Sequence, residues 1–245
     1  MRVWITGASS GIGLAVARHY AQAGHEVIVS ARNPETLVAL AHSLPAHAEP
    51  LDVTIREAVL DTVRRIEAER GPIDLAVLNA GTYVHTRAVD FTTAGAAAMM
   101  AVNYFGLCHC LEALMPAMCA RHHGHIVAMS SLAGYRGLPY AGPYAASKSA
   151  VMRLCESLQP ELAQDGVTLS VINPGFVKTP LTDRNDFPMP WLMEADEAAR
   201  IIARQIADGR FEIRFPRRLA WSMRLLSLLP DPIYFALTRR MLRDA

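Results

Sequence analysis

The chain lacks a dominant charge. Its 245 residues hold 24 lysines and arginines against 23 acids, a net of +1. Nothing in that balance points to nucleic acid or to an acidic partner. It also lacks a cysteine framework. There are four cysteines, Cys108, Cys110, Cys119 and Cys155, and three fall in one helical run. No charged, then apolar, leader precedes Met1 to Ile5, which reads directly as a strand. The expectation is therefore reduced thiols and a cytoplasmic protein without a secretory signal. No apolar run reaches the length that spans a bilayer. His122, His123 and His125 lie near Cys119 but match no zinc spacing, so they read as a solvated turn and no metal is expected. Internal repeats and low-complexity linkers are missing before residue 180. Apolar side chains are what the chain has in quantity, 51% of it, which is enough for a sizeable core.

Those apolar residues fall in alternating short runs and amphipathic stretches. Strands are expected at 2–5, 25–30, 48–51, 74–78, 124–129, 167–172 and 211–215. Helices are expected at 14–21, 34–43, 55–69, 93–119, 144–163 and 195–207. Thr54 is the expected N-cap of the third, with Glu57 completing a capping box. Such regular alternation predicts an α/β fold, a doubly wound parallel sheet of about seven strands with helices on both faces. Ligands in such sheets bind outside the carboxyl ends of the strands.

The first strand runs into Thr6-Gly7-Ala8-Ser9-Ser10-Gly11-Ile12-Gly13 and then a helix. A glycine-rich turn there lets backbone N–H groups approach a phosphate at the helix N-terminus. Strand two ends in Ser30-Ala31-Arg32-Asn33. A carboxylate at this point would favour NAD, and none is present. Arg32 offers a fork suited to the extra phosphate of NADP. Asp52 and Asn79 fall at the ends of the next two strands.

Tyr144 and Lys148 are four apart, one helical turn from each other. A phenol has a pKa near ~10 and shuttles protons poorly at neutral pH. A cation beside it favours phenolate and makes it usable as a general acid or base. Alone, that spacing is as common on a solvated helix face.

Taken together and in order, Thr6–Gly13, Asn79-Ala80-Gly81, Asn103, Ser131, Tyr144, Lys148 and Pro174-Gly175 resemble the short-chain dehydrogenase/reductase family over residues 1 to about 210. The family's T-G-x-x-x-G-x-G, N-A-G and Y-x-x-x-K patterns are matched at 6–13, 79–81 and 144–148. Its serine spacing picks Ser131 over Ser130. The resemblance implies hydride transfer between NADP(H) and a carbonyl or alcohol carbon. It implies Tyr144 as general acid/base, Ser131 on the same oxygen, Lys148 lowering the tyrosine pKa, and Asn103 holding a water that leads to solvent. Cofactor contacts are implied at Gly7, Ser9, Ser10, Gly11, Ile12, Gly13, Arg32, Asp52, Val53, Asn79, Ala80, Gly81, Tyr144, Lys148, Pro174, Gly175, Val177 and Thr179. It further implies a homodimer or homotetramer.

Tyr135, Leu138, Tyr140 and the segment 180–194 with Trp191 are candidates to line the substrate side, and they favour an apolar small molecule. The segment 180–194 reads either as a lid or as a packed connection. Residues 1–215 read as the dinucleotide-binding and catalytic unit, and 216–245 as a basic, apolar helical extension of it. From Arg210 onward there are eight arginines against three acids, +5, which leaves −4 for the remainder. Residues 217–245 are open to three readings: cover for the site, a subunit interface, or peripheral contact with the inner face of a membrane. The competing function is a dinucleotide sensor or a membrane-attached interaction protein on the same fold. The full set Asn103, Ser131, Tyr144 and Lys148 weighs against it, since binding alone needs no proton relay.

Overall fold

A computed structural model describes residues 1–183 and 187–242. Seven strands form one all-parallel sheet in the order β3-β2-β1-β4-β5-β6-β7. They are β1 (Arg2–Thr6), β2 (Glu26–Ser30), β3 (Ala46–Ala48), β4 (Leu75–Leu78), β5 (His125–Met129), β6 (Thr168–Pro174) and β7 (Glu212–Phe215). The helices are α1 (Gly11–Gln22), α2 (Pro34–Ser43), α3 (Arg56–Arg70), α4 (Thr93–Met100), α5 (Gly106–Ala120), α6 (Gly142–Gln164), α7 (Ala195–Ala207), α8 (Arg217–Leu228) and α9 (Asp231–Arg239).

Strand side chains alternate between faces, so the sheet builds two cores. Val3, Ile5, Val27, Val29 and Val77 pack with α1, α2 and α7 on one side. Trp4, Ile28, Ala76 and Leu78 pack with α3, α5 and α6 on the other. Both faces are covered, which is why the strands read as continuous apolar runs. The strand order reverses direction between β1 and β4, and that switch point leaves a crevice at the carboxyl ends.

Four expectations need correction. The third strand is Ala46–Ala48, not 48–51, because Pro50 has no N–H for the ladder. Thr54 does not cap α3. Its hydroxyl and N–H both donate to Asp52 Oδ1, at 2.7 and 2.9 Å. An Asx-type turn two residues long wins over the cap, and the helix starts at Arg56 without a side-chain cap bond. The stretch expected as one helix over 93–119 is interrupted by a π-turn, Ala101–Phe105, between α4 and α5. Finally, Thr93–Ala120 is long and apolar enough, by length and composition, to cross a bilayer. Here it lies on the sheet, with Cys110, Leu111, Leu114 and Met118 in the core.

Three of the expected histidines do make separate contacts. His122 Nδ1 lies 3.1 Å from the Asp165 carbonyl, His123 lies 3.6 Å from Asp74, and His125 Nε2 lies 2.8 Å from Ser170 Oγ. Burial lowers His125 to about 4. All four cysteines are free thiols.

The glycine turn is closed by contacts no larger residue permits. Gly7 sits at φ +65°, and a Cβ there would meet Ala80 at 2.8 Å. At Gly13 a Cβ would lie 2.4 Å from the Gly7 carbonyl oxygen and 2.5 Å from Asn79 Nδ2. We expect Gly13→Ala to cost about 1–3 kcal/mol, as overpacking does, and to lower the melting temperature by several degrees. Gly142→Ala, where a Cβ meets nothing within 4 Å, should leave it unchanged or raised. Equal melting temperatures for the two variants would contradict the packing argument.

Candidate active site

A cavity of about 830 Å³ opens along the carboxyl ends of the strands. Gly7, Ser9, Ser10, Gly11 and Ile12 form one end of it. Gly13 does not line it; it lies behind the turn, against Gly7 and Asn79. Asn79 Nδ2 donates to the carbonyls of Thr6 and Gly7, at 3.2 and 3.0 Å, and the Ala80 N–H donates to Thr6 Oγ1 at 3.2 Å. The end of β4 thus holds the turn in shape. The N-cap Ser10 makes no side-chain cap bond, and the first turn of α1 holds no acid. The α1 N-terminus is left with donors and a positive dipole facing the cavity, suited to a phosphate. Arg32, Asp52, Val53, Ala80 and Gly81 continue the wall. Arg32 is exposed and has no ion pair among the described residues. The Asp52 carboxylate already accepts from Thr54.

The other end is built from β5, the loop after it, and α6. Ser131, Tyr144 and Lys148 all line the cavity there. Ser130, its sequence neighbour, is buried and its hydroxyl donates to the Lys148 carbonyl at 2.9 Å. That bond fixes α6 on β5 and commits the Ser130 hydroxyl proton, although Ser130 also lines the cavity. Ser131 Oγ accepts from the Ala133 N–H at 3.1 Å, which leaves its own proton free to point at Tyr144.

Lys148 is 3% exposed. Its Nζ donates to the Met129 carbonyl at 2.8 Å and lies 5.8 Å from the Tyr144 ring centroid. Burial lowers its pKa to about 8. Tyr144 is pushed above the usual phenol value, first by burial. A hydrogen bond from Ser131 works against that rise, and nearby Tyr83 adds to it. The expectation that Lys148 lowers the Tyr144 pKa is therefore corrected for this state. The ammonium is turned to a carbonyl, and desolvation of the phenol dominates.

Asn103 sits in the π-turn and is buried. Its Nδ2 donates to the Thr82 carbonyl and to Ser147 Oγ, at 3.0 and 2.9 Å. Its Oδ1 accepts from the Thr82 N–H at 2.8 Å. Both amide protons are used, so the side chain acts as a strut between the segment after β4 and α6. Ser147 completes that strut by donating to the Tyr144 carbonyl at 2.7 Å. Sequence reasoning passed over Ser147, Thr82, Tyr83 and His85. Position within the Tyr144–Lys148 turn was the available signal for Ser147. The others follow Gly81 directly, where a longer reading of that loop would have found them. Tyr83 meets Tyr144 edge to face at 5.0 Å.

Pro174, Gly175, Val177 and Thr179 line the cavity, together with Pro180, Leu181 and Thr182. Tyr135, Tyr140 and Trp191 do not, and the substrate-side expectation is corrected. The Tyr135 hydroxyl donates to Glu212 beneath the loop. Tyr140 stacks on His85 with centroids 4.8 Å apart, and it is His85 that reaches the cavity. Trp191 is 47% exposed. The walls on that side are Val84, His85, Thr86, Asp90, Thr92 and Met99, a mixture of polar and apolar groups. Within 180–194, Phe187 packs on Phe176 at 5.8 Å and Met193 pairs with Val177, as in a packed connection. Residues 184–186 of that segment lie outside the described residues.

Residues 1–187 match the family model described as short chain dehydrogenase. The chain is 39% identical over 242 residues to an uncharacterized oxidoreductase of Myxococcus xanthus, covering 97% of this chain and 96% of that protein. Its structure resembles a short-chain dehydrogenase from Sphingobium yanoikuyae in complex with NADPH. That likeness has TM-score 0.82 and 26% identity, over 100% of this chain and 97% of the other. A short-chain dehydrogenase/reductase from Burkholderia phymatum in complex with NAD shares the fold, with TM-score 0.84 and 24% identity over 100% and 97% of the two chains. With the glycine turn, the clamp from β4 and the Ser131, Tyr144 and Lys148 cluster in one crevice, and with that match, the chain belongs to the short-chain dehydrogenase/reductase family of oxidoreductases.

Proposed function

We propose that this oxidoreductase uses NADP(H) and reduces the carbonyl group of a small molecule, with Tyr144 as proton donor. The observation that carries the proposal is the meeting of Ser131, Tyr144 and Lys148 at one end of a cavity whose other end is the glycine turn with Arg32 beside it. A dinucleotide fits the residues present. The α1 N-terminus and the turn at Gly7 and Gly11 suit its pyrophosphate, and unpaired Arg32 suits a 2′-phosphate. The dinucleotide supplies the hydride.

The chain supplies position and a proton. Ser131, held by Ala133, hydrogen-bonds the substrate oxygen and stabilises the negative charge that develops on it. Tyr144 gives its proton to that oxygen. A phenol is protonated at neutral pH and has a proton to give; burial makes Tyr144 a weaker acid, and the Ser131 hydrogen bond works against that. Asn103 and Ser147 hold α6 and the segment at Thr82 in register. The substrate reading is revised from wholly apolar. Val84, Met99 and Leu181 would take a hydrocarbon part, and His85, Asp90 and Thr92 would take a hydrogen-bonding group. A homodimer or homotetramer is part of the same proposal, by family resemblance.

Three outcomes are expected. Tyr144→Phe should lower turnover by about 10²–10⁴, the range for general acid–base catalysis, while an NADPH binding titration stays within severalfold of the wild type. Near-normal turnover would remove Tyr144 from its role. Arg32→Ala should weaken NADPH about 10-fold or more, the loss of a charge-assisted bond, and leave NADH nearly unchanged. Equal effects on both would end the case for NADP.

The third concerns Lys148. Its folded pKa of about 8 lies below the usual lysine value of 10.5. Between those values the unfolded chain binds more protons than the folded one, so stability rises with pH through that window. The cost of the buried cation is full below pH 8, on the order of 3 kcal/mol, and relieved towards pH 10.5. Lys148→Met should therefore hold a stability advantage over wild type at pH 7 that shrinks by about 2–3 kcal/mol at pH 10. Urea unfolding of the cofactor-free proteins at both pH values measures it. A constant difference would contradict the buried-cation reading.

A further inference from the structure

The C-terminal helix pair carries a surface that its own packing leaves open. α8 turns Ala220 and Met223 inward onto Leu132, with Leu219 and Leu226 partly buried beside them. Its opposite face carries Trp221, Leu225 and Leu228. These are four and three residues apart and so form one row along the helix. They are 55%, 63% and 76% exposed. Arg217, Arg218 and Arg224 border the row and are themselves exposed. α9 turns Tyr234 and Thr238 inward and leaves Ile233, Phe235 and Leu237 outside, with Met241 and Leu242 after it. Arg239 and Arg240 stand among them. Of the 17 exposed large hydrophobic residues, eight lie between 221 and 242, a concentration that scatter does not produce.

The charge around this row is mainly positive. The segment from Arg210 carries +5. Two of its three acids are already engaged: Glu212 by Arg214 and Arg224, and Asp231 by Arg136. Arg217, Arg218, Arg239 and Arg240 have no ion pair among the described residues.

The surface is also held in place. Arg136, in the loop that follows Ser131, donates to the carbonyls of Ser227 and Leu229 at 3.3 and 2.6 Å, and its guanidinium lies 3.7 Å from the Tyr234 ring centroid. Tyr234 in turn donates to the Gly137 carbonyl. The helices need no ordering before they bind, so little of the contact energy is lost to entropy.

We propose that the exposed row of α8, with the apolar residues that α9 leaves exposed, docks on an anionic lipid bilayer. A row of apolar side chains with an aromatic among them, edged by arginines, matches a headgroup region, where apolar groups sink below a layer of negative charge. A second copy of this chain fits less well. In a two-fold contact the patch meets itself, and among the described residues Arg217, Arg218, Arg239 and Arg240 would face mostly other arginines, since Glu212 and Asp231 are already paired. Docking sets the catalytic cavity next to the bilayer. Gly175 lines that cavity, and a Cβ there would lie 2.6 Å from Leu219 of α8. One helix diameter, about 10 Å, separates the docked face from the cavity wall.

Cosedimentation of the full chain with vesicles tests this, using phosphatidylcholine alone or mixed with phosphatidylglycerol. The expected result is binding to the mixed vesicles, severalfold weaker binding to phosphatidylcholine, and loss at high salt. The double variants Trp221→Ser with Leu225→Ser, and Arg217→Gln with Arg218→Gln, should each bind at least about fivefold more weakly, with unchanged circular dichroism. Both arginines of the pair are exposed, so that result stands even if the apolar pair folds poorly. Three results would overturn the proposal: no binding to either vesicle, binding by the arginine variant equal to wild type, or a fall in oligomer size in the apolar variant without vesicle binding by the wild type. The last would make the face a subunit interface.

Discussion

A buried ammonium is the constraint around which this site is arranged. The chain has two lysines, Lys148 and Lys178, and uses arginine for every other fixed cation. At position 148 an arginine would stay charged at any pH and would not fit. Gly81 lies against the same pair: a Cβ there would be in ordinary contact with Nζ at 3.5 Å and crowd Asn103 Oδ1 at 3.3 Å. Met129 accepts one of the three ammonium protons, and its successor Ser130 bonds the Lys148 carbonyl. Two consecutive residues at the end of β5 therefore fix both ends of one lysine. The next residue, Ser131, is brought to Tyr144 as a consequence.

The π-turn between α4 and α5 serves the same arrangement from the opposite side. An extra residue in a helical turn shifts side chains round the axis and is found mostly where a site needs it. Here it brings Asn103 inward, where it binds both backbone groups of Thr82 and the Ser147 hydroxyl. Thr82 begins the segment that carries Tyr83 to the Tyr144 ring and His85 to the cavity wall. One amide thus ties the substrate wall to the catalytic helix. The C-terminal helices stabilise the loop between Ser131 and Tyr144 from outside, through Arg136 and Tyr234.

What the sequence made legible were features set by local backbone geometry and by fixed spacing. Alternating apolar runs gave the parallel sheet because each strand is buried on both faces. Gly7, Gly11 and Gly13 were legible because the turn admits no side chain, and Tyr144 and Lys148 because four residues are one helical turn. Features set by long-range choices were not legible. Tyr135 looked like a pocket residue by position, but Glu212, 77 residues on, takes its hydroxyl. Tyr140 stacks on His85, and it is His85 that lines the cavity. Thr54 is a local exception: it fits the cap pattern but is taken by Asp52, two residues away. The sign of the Tyr144 shift was missed for a related reason. Spacing shows that a cation is near, and says nothing of which acceptor it faces or how much water the phenol has lost.

That sign bears on the direction of the proposed reaction. Alcohol oxidation needs Tyr144 as phenolate, held by a charged Lys148. Burial raises the Tyr144 pKa and lowers that of Lys148 to about 8, so in this site desolvation opposes both the phenolate and the ammonium. At neutral pH the resting pair is ammonium and protonated phenol, and the phenol proton is the one that the proposed carbonyl reduction would use. The cost of keeping that ammonium buried is the usual cost of a site whose charge is placed for chemistry rather than for stability. It has a physical counterpart in the Ser131 hydrogen bond, the one contact on Tyr144 that favours release of the proton. In the proposed reaction the Ser131 hydroxyl, with its single proton, would turn from Tyr144 to the substrate oxygen, so that it and the phenol would both donate to the atom that takes up negative charge.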